Sequence, residues 1–538
     1  MDQIPQWRPE PECYRAALPL NFPPEANFIY RSTNNMTPVL PGSSVLSADS
    51  FDADLPSHDV VVVGDAGTSD YLLVGALTAH RSQTYFTVRR RSGRLHSIAV
   101  AQPSVKPGEK PEELLVKSGS DWRELLKFYA EESARRMGVK PVSAETNLAG
   151  YCSWYYYYAD VTERDFLDNL EALAARSDSP YSSGIAQIDD GYQTFQGDWL
   201  DQDASWPTPL AEIARNAASK GLTLGIWLMP MLASTASRTF REHPEYFVCN
   251  EKGEPLVFAG WSPAPDNHWA CLDATQQAVR DHLTHVFKTF RSWGFRYFKL
   301  DGLGYGLPEG RRQDAGATAV SAFRLALKTI REAVPDAFIL GCCPPFMACL
   351  GYVDACRVSC DTSRYWFSQD PRPLNCDNSP GLPGIRNAWH GTIMNWWMFD
   401  RWFRADPDTV MARQDNAFYT LGEARISTLA AILTGVSITS DHLGTIAPER
   451  YRLLELAASL RLRDAAPARW EPFRWPQVFT GTVDGRKAAA FVNDTDQEMT
   501  FELSEGMLNA SAEEVLIGLG RISGPLTLPP HDAALLIE

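Results

Sequence analysis

The sequence has no excess of basic residues and no long apolar run. Its 538 residues include 50 Lys and Arg against 66 Asp and Glu, which gives a formal net charge of −16. Nucleic-acid-binding proteins normally present a basic face, and the same charge is unfavourable on an anionic membrane, so both partner classes are disfavoured. No apolar stretch is long enough to span a bilayer, and residues 1–7 lack the features of a signal peptide. We therefore expect a soluble, cytoplasmic protein.

Disulfide, metal and phosphate motifs are also missing. The ten Cys follow no framework spacing, and the adjacent Cys342 and Cys343 belong to no CxxC pair, so reduced thiols are expected. None of the ten His stands in an HExxH motif, and we interpret His390 and His442 as structural or pocket-lining. The Gly-rich residues 302–306 lack the Gly-Lys-Ser/Thr of a phosphate loop. The sequence thus predicts no metal and no organic cofactor.

Two β-rich segments flank the middle of the chain. Strand-forming runs at residues 60–63, 71–74 and 84–88, separated by Gly, Pro, Ser and Asp, predict an N-terminal β-sandwich. A linker helix is expected to begin at Ser120 and end near Gly138, so that the domain covers residues 1–140. Near the C-terminus, two strands joined by Asp484-Gly485 predict a hairpin within a small β-sandwich, residues 462–538.

Between these segments, residues 141–461 alternate strands with amphipathic helices. Residues 150–155 are interpreted as a strand, followed by Thr162 as the N-cap of a helix with Phe166 and Leu170 on its apolar face. Eight such β units predict an α/β fold with a central (β/α)8 TIM barrel. The apolar residues 396–399 fit either a buried barrel helix or a subunit contact.

Each predicted barrel strand ends in polar, aromatic or thiol side chains. The carboxyl ends of the strands of such a barrel meet at one face, so we expect these groups to line one pocket. They are Trp154, Asp189 with Asp190, Trp227, Asp301, Cys342 with Cys343, Asp361, Asp406 and Asp441. A pocket with several carboxylates and aromatic walls fits a neutral, hydroxyl-rich ligand.

Two of these carboxylates suit glycoside cleavage, which needs one ionised and one protonated carboxyl group. Asp301 follows Lys299 by two positions, and this cation would keep Asp301 ionised as a nucleophile. Asp361, if partly desolvated, would serve as the acid, with Arg357 four residues earlier. A strand-end Asp is also common as an N-cap or turn residue, and the pair Asp189-Asp190 would equally fit a solvated turn.

Several motifs carry a family likeness. They occupy residues 150–158, 187–192 with 197–199, 225–227, 297–301 and 357–361, and continue through 386–387 and 406–408. In this order they resemble glycoside hydrolase family 36, above all its compact bacterial α-galactosidases. The resemblance implies a retaining exo-α-galactosidase that works by double displacement, with Asp301 as nucleophile and Asp361 as general acid/base. It also implies sugar-binding positions at Asp189, Asp190, Trp227, Lys299 and Arg357, and pocket walls at Trp154 and Trp199.

The sequence also departs from the family pattern. Residues 27–60 contain no Trp, although relatives place one over the sugar, and Cys342-Cys343 replaces a smaller turn near the expected sugar 2-substituent. Three alternatives therefore stay open. The first is a retaining α-glycosidase of other specificity, such as an α-N-acetylgalactosaminidase. The second is an α-galactosyl transferase of the raffinose-synthase type, and the third is a non-catalytic carbohydrate-binding protein. The expected partner is a small or oligosaccharide α-glycoside, and family members are often homo-oligomers.

Overall fold

The computed structural model describes residues 14–23, 26, 28–33, 44–47, 54–91, 94–106, 108–140, 148–176, 179–259, 268–342, 344–367, 382–469, 475–509 and 511–538. Within these ranges, no helix combines the length and apolarity needed to cross a membrane. The structure contains an N-terminal pair of sheets, a central barrel and C-terminal sheets. This is the predicted fold class, which is confirmed; the domain limits at residues 140/141 and 461/462 stay predictions.

The N-terminal sheets form a sandwich because successive apolar side chains along a strand point to opposite faces of the sheet, and both faces are covered. Val61 and Val63 of one sheet pack in the same core cluster as Phe86 and Val88 of the other, while the alternate Val side chains face the main core. The sheets have the strand orders β1-β8-β7-β4 and β3-β2-β5-β6-β9. Their strands are β1 (Tyr14–Pro19), β2 (Phe28–Arg31), β3 (Ser44–Ser47), β4 (Leu55–His58), β5 (Val60–Asp65), β6 (Asp70–Ala76), β7 (Tyr85–Arg91), β8 (Arg94–Gln102) and β9 (Leu114–Gly119).

Helix α1 (Trp122–Met137) connects this sandwich to the barrel. Its N-cap is Asp121, whose side chain accepts from a backbone N–H, and it ends at Gly138, which has a φ of 71°. The indole of Trp402 donates to the carbonyl of Ala130 in α1 at 3.1 Å. The indole of Trp397 donates to the hydroxyl of Tyr30 in β2 at 2.6 Å. The apolar segment at residues 396–399 is therefore covered within the chain, and it needs no partner subunit for its burial.

Eight parallel strands form the barrel. Their order is β20-β10-β11-β12-β16-β17-β18-β19, and a parallel bridge between Val410 and Thr439 brings the chain after β19 beside β20. A small antiparallel sheet, β13 to β15, is inserted between two barrel strands. The strands are β10 (Leu148–Cys152), β11 (Ile185–Ile188), β12 (Thr223–Leu228), β13 (Leu232–Ser234), β14 (Val257–Ala259), β15 (His268–Cys271), β16 (Tyr297–Leu300), β17 (Phe338–Gly341), β18 (Ala355–Arg357), β19 (Arg404–Asp406) and β20 (Val436–Thr439).

Helices surround the barrel strands. Thr162 caps its helix as predicted, in a capping box with Asp165, and Gly294 ends α6 with a φ of 116°. The strand prediction for residues 150–155 is wrong at its end: β10 stops at Cys152 and Trp154 begins a helical turn. The helices are α2 (Trp154–Tyr157), α3 (Glu163–Ala174), α4 (Leu210–Ser219), α5 (Arg238–Glu242), α6 (Gln277–Trp293), α7 (Ala319–Ala333), α8 (Phe346–Cys349), α9 (Ile385–Met394), α10 (Leu421–Thr434) and α11 (Pro448–Ser459).

The C-terminal sheets share a separate apolar core. Phe491 of the larger sheet and Phe501 of the smaller one lie in it with their ring centroids 5.5 Å apart. Asp484 and Gly485 have φ values of 48° and 76°, as a tight two-residue hairpin turn requires. The strand orders are β21-β22-β23-β28-β25-β26 and β24-β27. The strands are β21 (Arg463–Arg469), β22 (Val478–Val483), β23 (Arg486–Asn493), β24 (Met499–Phe501), β25 (Ala512–Glu514), β26 (Gly520–Ile522), β27 (Leu526–Leu528) and β28 (Asp532–Ile537).

The closing side of the barrel contains a fully buried ion pair. A guanidinium nitrogen of Arg413, after β19, lies 3.4 Å from the carboxylate of Asp441, after β20, and both side chains are 0% exposed. Asp441 also accepts the backbone N–H groups of Ala412 and Arg413 at 2.9 and 3.0 Å. This carboxylate, which the sequence placed among the strand-end groups of the pocket, is thus engaged in holding the barrel together.

Replacing Asp441 by Asn is expected to lower the free energy of unfolding by about 3–5 kcal/mol, because it leaves the Arg413 charge buried without its counter-ion. Urea unfolding followed by fluorescence measures the change. The control is Glu332→Gln, which removes an exposed pair with Lys328 at 3.8 Å and should leave the midpoint unchanged. Equal midpoints for the two variants would contradict the role given to this ion pair.

Candidate active site

The strand ends of β11 and β16 bring a lysine and a carboxylate together. Lys299 in β16 donates from Nζ to Oδ2 of Asp189 at 2.9 Å, and both side chains are buried. Cys152 and Gln187 donate to the same oxygen, the thiol at 3.2 Å. Burial alone would lower the pKa of Lys299, but the Asp189 carboxylate raises it well above its ordinary value. Lys299 therefore stays a cation at the floor of the site.

The second carboxylate of the pair is buried as well. Asp190 is 7% exposed and accepts a hydrogen bond from the amide of Gln193, while its own backbone N–H donates to Asp189 at 3.0 Å. Burial raises the pKa of Asp190 to about 6, and the charges of Asp189 and Asp301 add to the effect. The solvated-turn interpretation of this pair is therefore wrong. Both side chains lie at the carboxyl edge of the barrel.

Asp301 directly follows β16 and is held by two donors. The indole Nε1 of Trp227 donates to Oδ2 at 3.0 Å, and the backbone N–H of Gly302 donates to Oδ1 at 2.7 Å. Gly302 adopts a φ of 62°, which a residue without a Cβ reaches at no steric cost. Burial would raise the pKa of Asp301, but the charges of Lys299 and Arg357 outweigh it, and the pKa lies below its ordinary value. Asp301 is thus an ionised carboxylate.

Arg357, the last residue of β18, connects several groups of the site. One guanidinium nitrogen contacts Asp361 at 2.5 Å and the thiol sulfur of Cys342 at 2.9 Å, and the other contacts Asp408 at 2.5 Å. Cys342 also hydrogen-bonds Asp301. The chain of contacts Asp301, Cys342, Arg357 and Asp361 therefore joins the two carboxyl groups that the sequence selected. Cys343 lies outside the described residues.

Asp361 differs from Asp301 in the direction of its pKa shift. Burial and the negative charges of Asp408 and Asp301 raise the pKa of Asp361 above its ordinary value, against the opposing effect of Arg357. Its side chain is nevertheless 39% exposed, whereas that of Asp408 is 4% exposed. Asp361 therefore lies on the open side of the site and keeps its proton to higher pH than an ordinary carboxyl group. Opposed shifts on neighbouring carboxyl groups are typical of an acid and a nucleophile.

Aromatic rings border this cluster. Trp199, from the loop after β11, is buried edge-to-face against Trp227, with ring centroids 5.8 Å apart. Trp154 is half-buried and lies edge-to-face with Tyr158 at 5.4 Å. The structure thus places both predicted wall residues at the carboxyl edge of the barrel. Their contact with a sugar stays a prediction.

Two residues of the site, Asp408 and Gln193, were missed by sequence reasoning. Asp408 accepts from the hydroxyl of Tyr155 and from the backbone N–H of Thr362, in addition to its contact with Arg357. Gln193 holds Asp190. The motif at residues 406–408 was part of the family likeness but suggested no role for its second Asp. Asp408 has a φ of 77°, a left-handed conformation that the sequence pattern does not reveal.

The two histidines singled out by the sequence have no contact with this carboxyl cluster. His390 is buried, hydrogen-bonded to Asp494 of the C-terminal sheet at 2.7 Å, and stacked on Trp475. His442 packs beside the ring of Tyr156. Both positions agree with the interpretation as structural or pocket-lining residues. Among the residues that the structure describes, no group of three or more His, Cys, Asp and Glu could hold a metal ion.

Comparison with known proteins finds a family likeness in the segment that forms part of this barrel edge. Residues 178–315 match the family model Melibiase. This segment is therefore similar to the members of that family. It contains Asp189, Asp190, Trp227, Lys299 and Asp301, whereas Arg357 and Asp361 follow it along the chain.

Curated relatives match a part of the chain. The A type blood alpha-D-galactosamine galactosaminidase of Flavonifractor plautii is 27% identical over 147 residues, which are 26% of this chain and 14% of the relative. Alpha-galactosidase 1 of Pediococcus pentosaceus is 27% identical over 198 residues, which are 34% of this chain and 26% of the relative. The matches thus span only a small part of these two relatives.

Solved structures share the fold of the chain well beyond the segment that matches the Melibiase model. TtGalA, an α-galactosidase from Thermus thermophilus solved with p-nitrophenyl α-D-galactopyranoside, aligns with a TM-score of 0.69 at 24% identity. That alignment covers 88% of this chain and 92% of TtGalA. The family 36 α-galactosidase AgaA from Geobacillus stearothermophilus aligns with a TM-score of 0.62 at 12% identity, over 97% of this chain and 76% of AgaA. Taken together, the Melibiase match, the curated α-galactosidases and this shared fold confirm the predicted resemblance to glycoside hydrolase family 36.

Proposed function

We propose that the protein is a glycoside hydrolase, specifically a retaining exo-α-galactosidase that removes terminal α-galactose from small or oligosaccharide substrates. The observation that carries this proposal is the pair Asp301 and Asp361. The two carboxyl groups are joined through Cys342 and Arg357, and their pKa values are shifted in opposite directions. The Melibiase match and the activities named for the similar proteins support the same substrate class.

In the proposed mechanism, the ionised Asp301 attacks the anomeric carbon. The bond to the leaving-group oxygen breaks as Asp361 gives that oxygen its proton, which yields a galactosyl ester on Asp301. The deprotonated Asp361 then accepts a proton from water, and the water oxygen attacks the anomeric carbon and displaces the carboxylate of Asp301. Galactose leaves with its original anomeric configuration, and both carboxyl groups return to their starting states.

Recognition of the sugar is assigned to the buried charges beside this pair. Asp189 and Asp190 would accept hydrogen bonds from two sugar hydroxyls, and Lys299 would donate to another, since each lies at the carboxyl edge of the barrel. Trp154 and Trp199 would cover the apolar faces of the sugar. Because these groups enclose the non-reducing end, cleavage is expected to be of the exo type. Cys342 would lie near the 2-substituent.

One relative favours a second candidate substrate. The galactosaminidase of Flavonifractor plautii carries in its name an amino sugar that differs from galactose at the 2-position. An α-galactosaminide would use the same nucleophile and acid, with the difference recognised near Cys342. Cytoplasmic location and a homo-oligomeric state stay predictions.

The test is turnover of nitrophenyl α-galactoside, α-galactosaminide, α-N-acetylgalactosaminide and α-glucoside by the purified protein, with proton NMR of the first sugar released. Dominant turnover of the galactoside with α-galactose appearing first supports the proposal. Initial release of β-galactose would contradict the retaining mechanism. Preference for an amino sugar would favour the second candidate substrate over the α-galactoside. Transfer of galactose to sucrose in preference to water would indicate the raffinose-synthase-type alternative. Binding of galactosides without any turnover would indicate a carbohydrate-binding protein.

The pH dependence follows from the two pKa shifts in the site. On the alkaline side, kcat/KM for raffinose is expected to fall as Asp361 loses its proton, at a pH above the ordinary carboxyl range. With α-galactosyl fluoride this fall should be absent, since fluoride departs without a proton. On the acid side, Asp190 takes up a proton near its pKa of about 6, so both substrates should lose kcat/KM there.

These profiles are measured as initial rates at low substrate concentration. Asp190→Asn provides the control, because it removes one of the two carboxyl groups of the site whose pKa is raised to about 6, the other being Asp406, and should leave the alkaline fall for raffinose in place. An alkaline fall of the same size for the fluoride and for raffinose would contradict the assignment of Asp361 as the acid.

A further inference from the structure

A stacked pair of aromatic rings, one of them exposed, lies beside the open side of the site. Tyr365, in the loop after β18, stacks on Phe418, in the loop after β19, with centroids 4.9 Å apart and planes 10° from parallel. Phe418 is 62% exposed. Since Tyr365 covers one face of the Phe418 ring, the exposed area lies on the other face and the edges.

The backbone and a charged side chain hold this ring pair in place. The N–H of Phe418 donates to the carbonyl of Arg364 at 2.8 Å, and a parallel bridge joins Tyr365 to Phe418. The Arg364 guanidinium lies 5.4 and 5.6 Å from the two ring centroids and donates to the side-chain oxygen of Asn416 at 2.6 Å. We refer to Tyr365, Phe418 and Arg364 as the aromatic platform. It is a surface with one open ring face and a cation that donates to the neutral side-chain amide of Asn416.

The platform is close to the proposed acid. Asp361 and Tyr365 lie four residues apart in the loop after β18. The carbonyl of Asp361 accepts the N–H of Gly384 at 3.0 Å, and the carbonyl of Tyr365 accepts the N–H of Ile385 at 3.1 Å, so both residues are held against the start of α9. The guanidinium of Arg413, in the loop after β19, donates to the carbonyl of Asn416 at 3.3 Å and to that of Tyr155 at 3.0 Å, which joins the loop after β10 to the platform. Three loops therefore converge at the carboxyl edge of the barrel, next to Asp361, whose side chain is 39% exposed.

We propose that the aromatic platform binds the leaving-group sugar, the unit attached to the galactose that is removed. This rests on the proposed function, since it is the proton on Asp361 that places the leaving-group oxygen at this edge. A pyranose ring presents C–H groups that pack on the open face of Phe418, and its hydroxyls accept hydrogen bonds from Arg364. The platform would therefore set the preference for oligosaccharides over galactosides with small leaving groups.

The experiment compares two substrates with the same galactose. Raffinose has a sucrose leaving group, and α-galactosyl fluoride has a single atom. Phe418→Ala is expected to lower kcat/KM for raffinose by about 3- to 10-fold, as lost ring stacking predicts, without changing kcat/KM for the fluoride. Phe418→Trp should restore raffinose cleavage. The matched control is Phe128→Ala, which removes a ring of similar exposure, 41%, from helix α1 far along the chain. Equal losses of kcat/KM on both substrates, or no loss on raffinose, would overturn the proposal that the platform binds the leaving-group sugar.

A second readout does not depend on turnover. Saturation-transfer NMR of raffinose with the inactive Asp301→Ala protein should show contacts to the glucose ring of the sucrose unit, and these should disappear when Phe418→Ala is added. Unchanged contacts in the double variant would contradict the platform. If the unmodified protein cleaves neither substrate, the proposed function fails, and this binding measurement alone decides on the platform.

Discussion

Replacing Asp361 by Ala is expected to slow raffinose cleavage by on the order of 10²- to 10⁴-fold, the usual contribution of a positioned general acid. The physical reason is the raised pKa of Asp361, which keeps a proton available where its side chain is partly exposed. Formation of the galactosyl ester from α-galactosyl fluoride should be far less affected, because fluoride leaves without protonation. The variant thus separates the two substrates by their leaving groups.

The ester formed from the fluoride should then accumulate, because water has lost the base that takes its proton. Stopped-flow measurements should show a burst of fluoride followed by slow turnover. Azide needs no base, so added azide should attack the ester and release α-galactosyl azide, the anomer that two displacements produce. Asp415→Ala is the control, since this carboxylate accepts hydrogen bonds from the hydroxyls of Tyr156 at 2.8 Å and Thr445 at 3.3 Å, away from Arg357. The same loss on both substrates and no azide product would contradict the assignment of Asp361.

The strand period explains why part of this site was predictable. Lys299 and Asp301 are two positions apart, so their side chains point to the same face of β16 and its continuation, and the sequence alone predicts that the cation affects the carboxylate. The structure adds that Lys299 makes its hydrogen bond to Asp189, from another strand. The lysine thus acts on Asp301 through its charge, and one residue serves both carboxylates.

Contacts between distant segments could not be predicted in this way. Asp408 reaches Arg357 and Tyr155 only because the loop after β19 bends back with a positive φ. The hydrophobic period gives no signal for such a bend. The strand prediction around Trp154 failed for a related reason: a run of aromatic residues favours a strand by propensity, but the chain turns into a helix at Trp154, after β10 has ended. Residues outside the regular elements are therefore where sequence reasoning was weakest.

Cys342 shows how the structure changes the meaning of a sequence departure. The sequence suggested that this thiol replaces a smaller residue beside the sugar. In the structure, Cys342 accepts a hydrogen bond from Arg357 at 2.9 Å and supports the ionised form of Asp301. The thiol thus connects the two halves of the carboxyl pair, and its contact with the 2-substituent stays a prediction.

Replacing Asp301 by Ala is expected to abolish turnover of raffinose and of α-galactosyl fluoride alike, with a loss on the order of 10⁴-fold or more, because no leaving group can compensate for a missing nucleophile. This equal loss distinguishes it from the Asp361 variant. Rates are measured with both substrates at saturating concentration, and intact folding is checked by raffinose binding. Selective loss on raffinose alone would contradict the assignment of Asp301.

Azide should also act on the Asp301→Ala protein, but with the opposite stereochemistry. The indole of Trp227 and the backbone N–H of Gly302, which hold the carboxylate at 3.0 and 2.7 Å, would remain to hold a small anion in its place, beside the positive charge of Lys299. Azide would then attack the galactosyl fluoride directly, and a single displacement gives β-galactosyl azide. Asp301→Asn is the matched control, since its amide fills the same space and leaves no room for azide. Asp301 forms the ester, and Asp361 activates the water that cleaves it. The two Ala variants should therefore yield opposite anomers of galactosyl azide. The α anomer from both would rule out these roles.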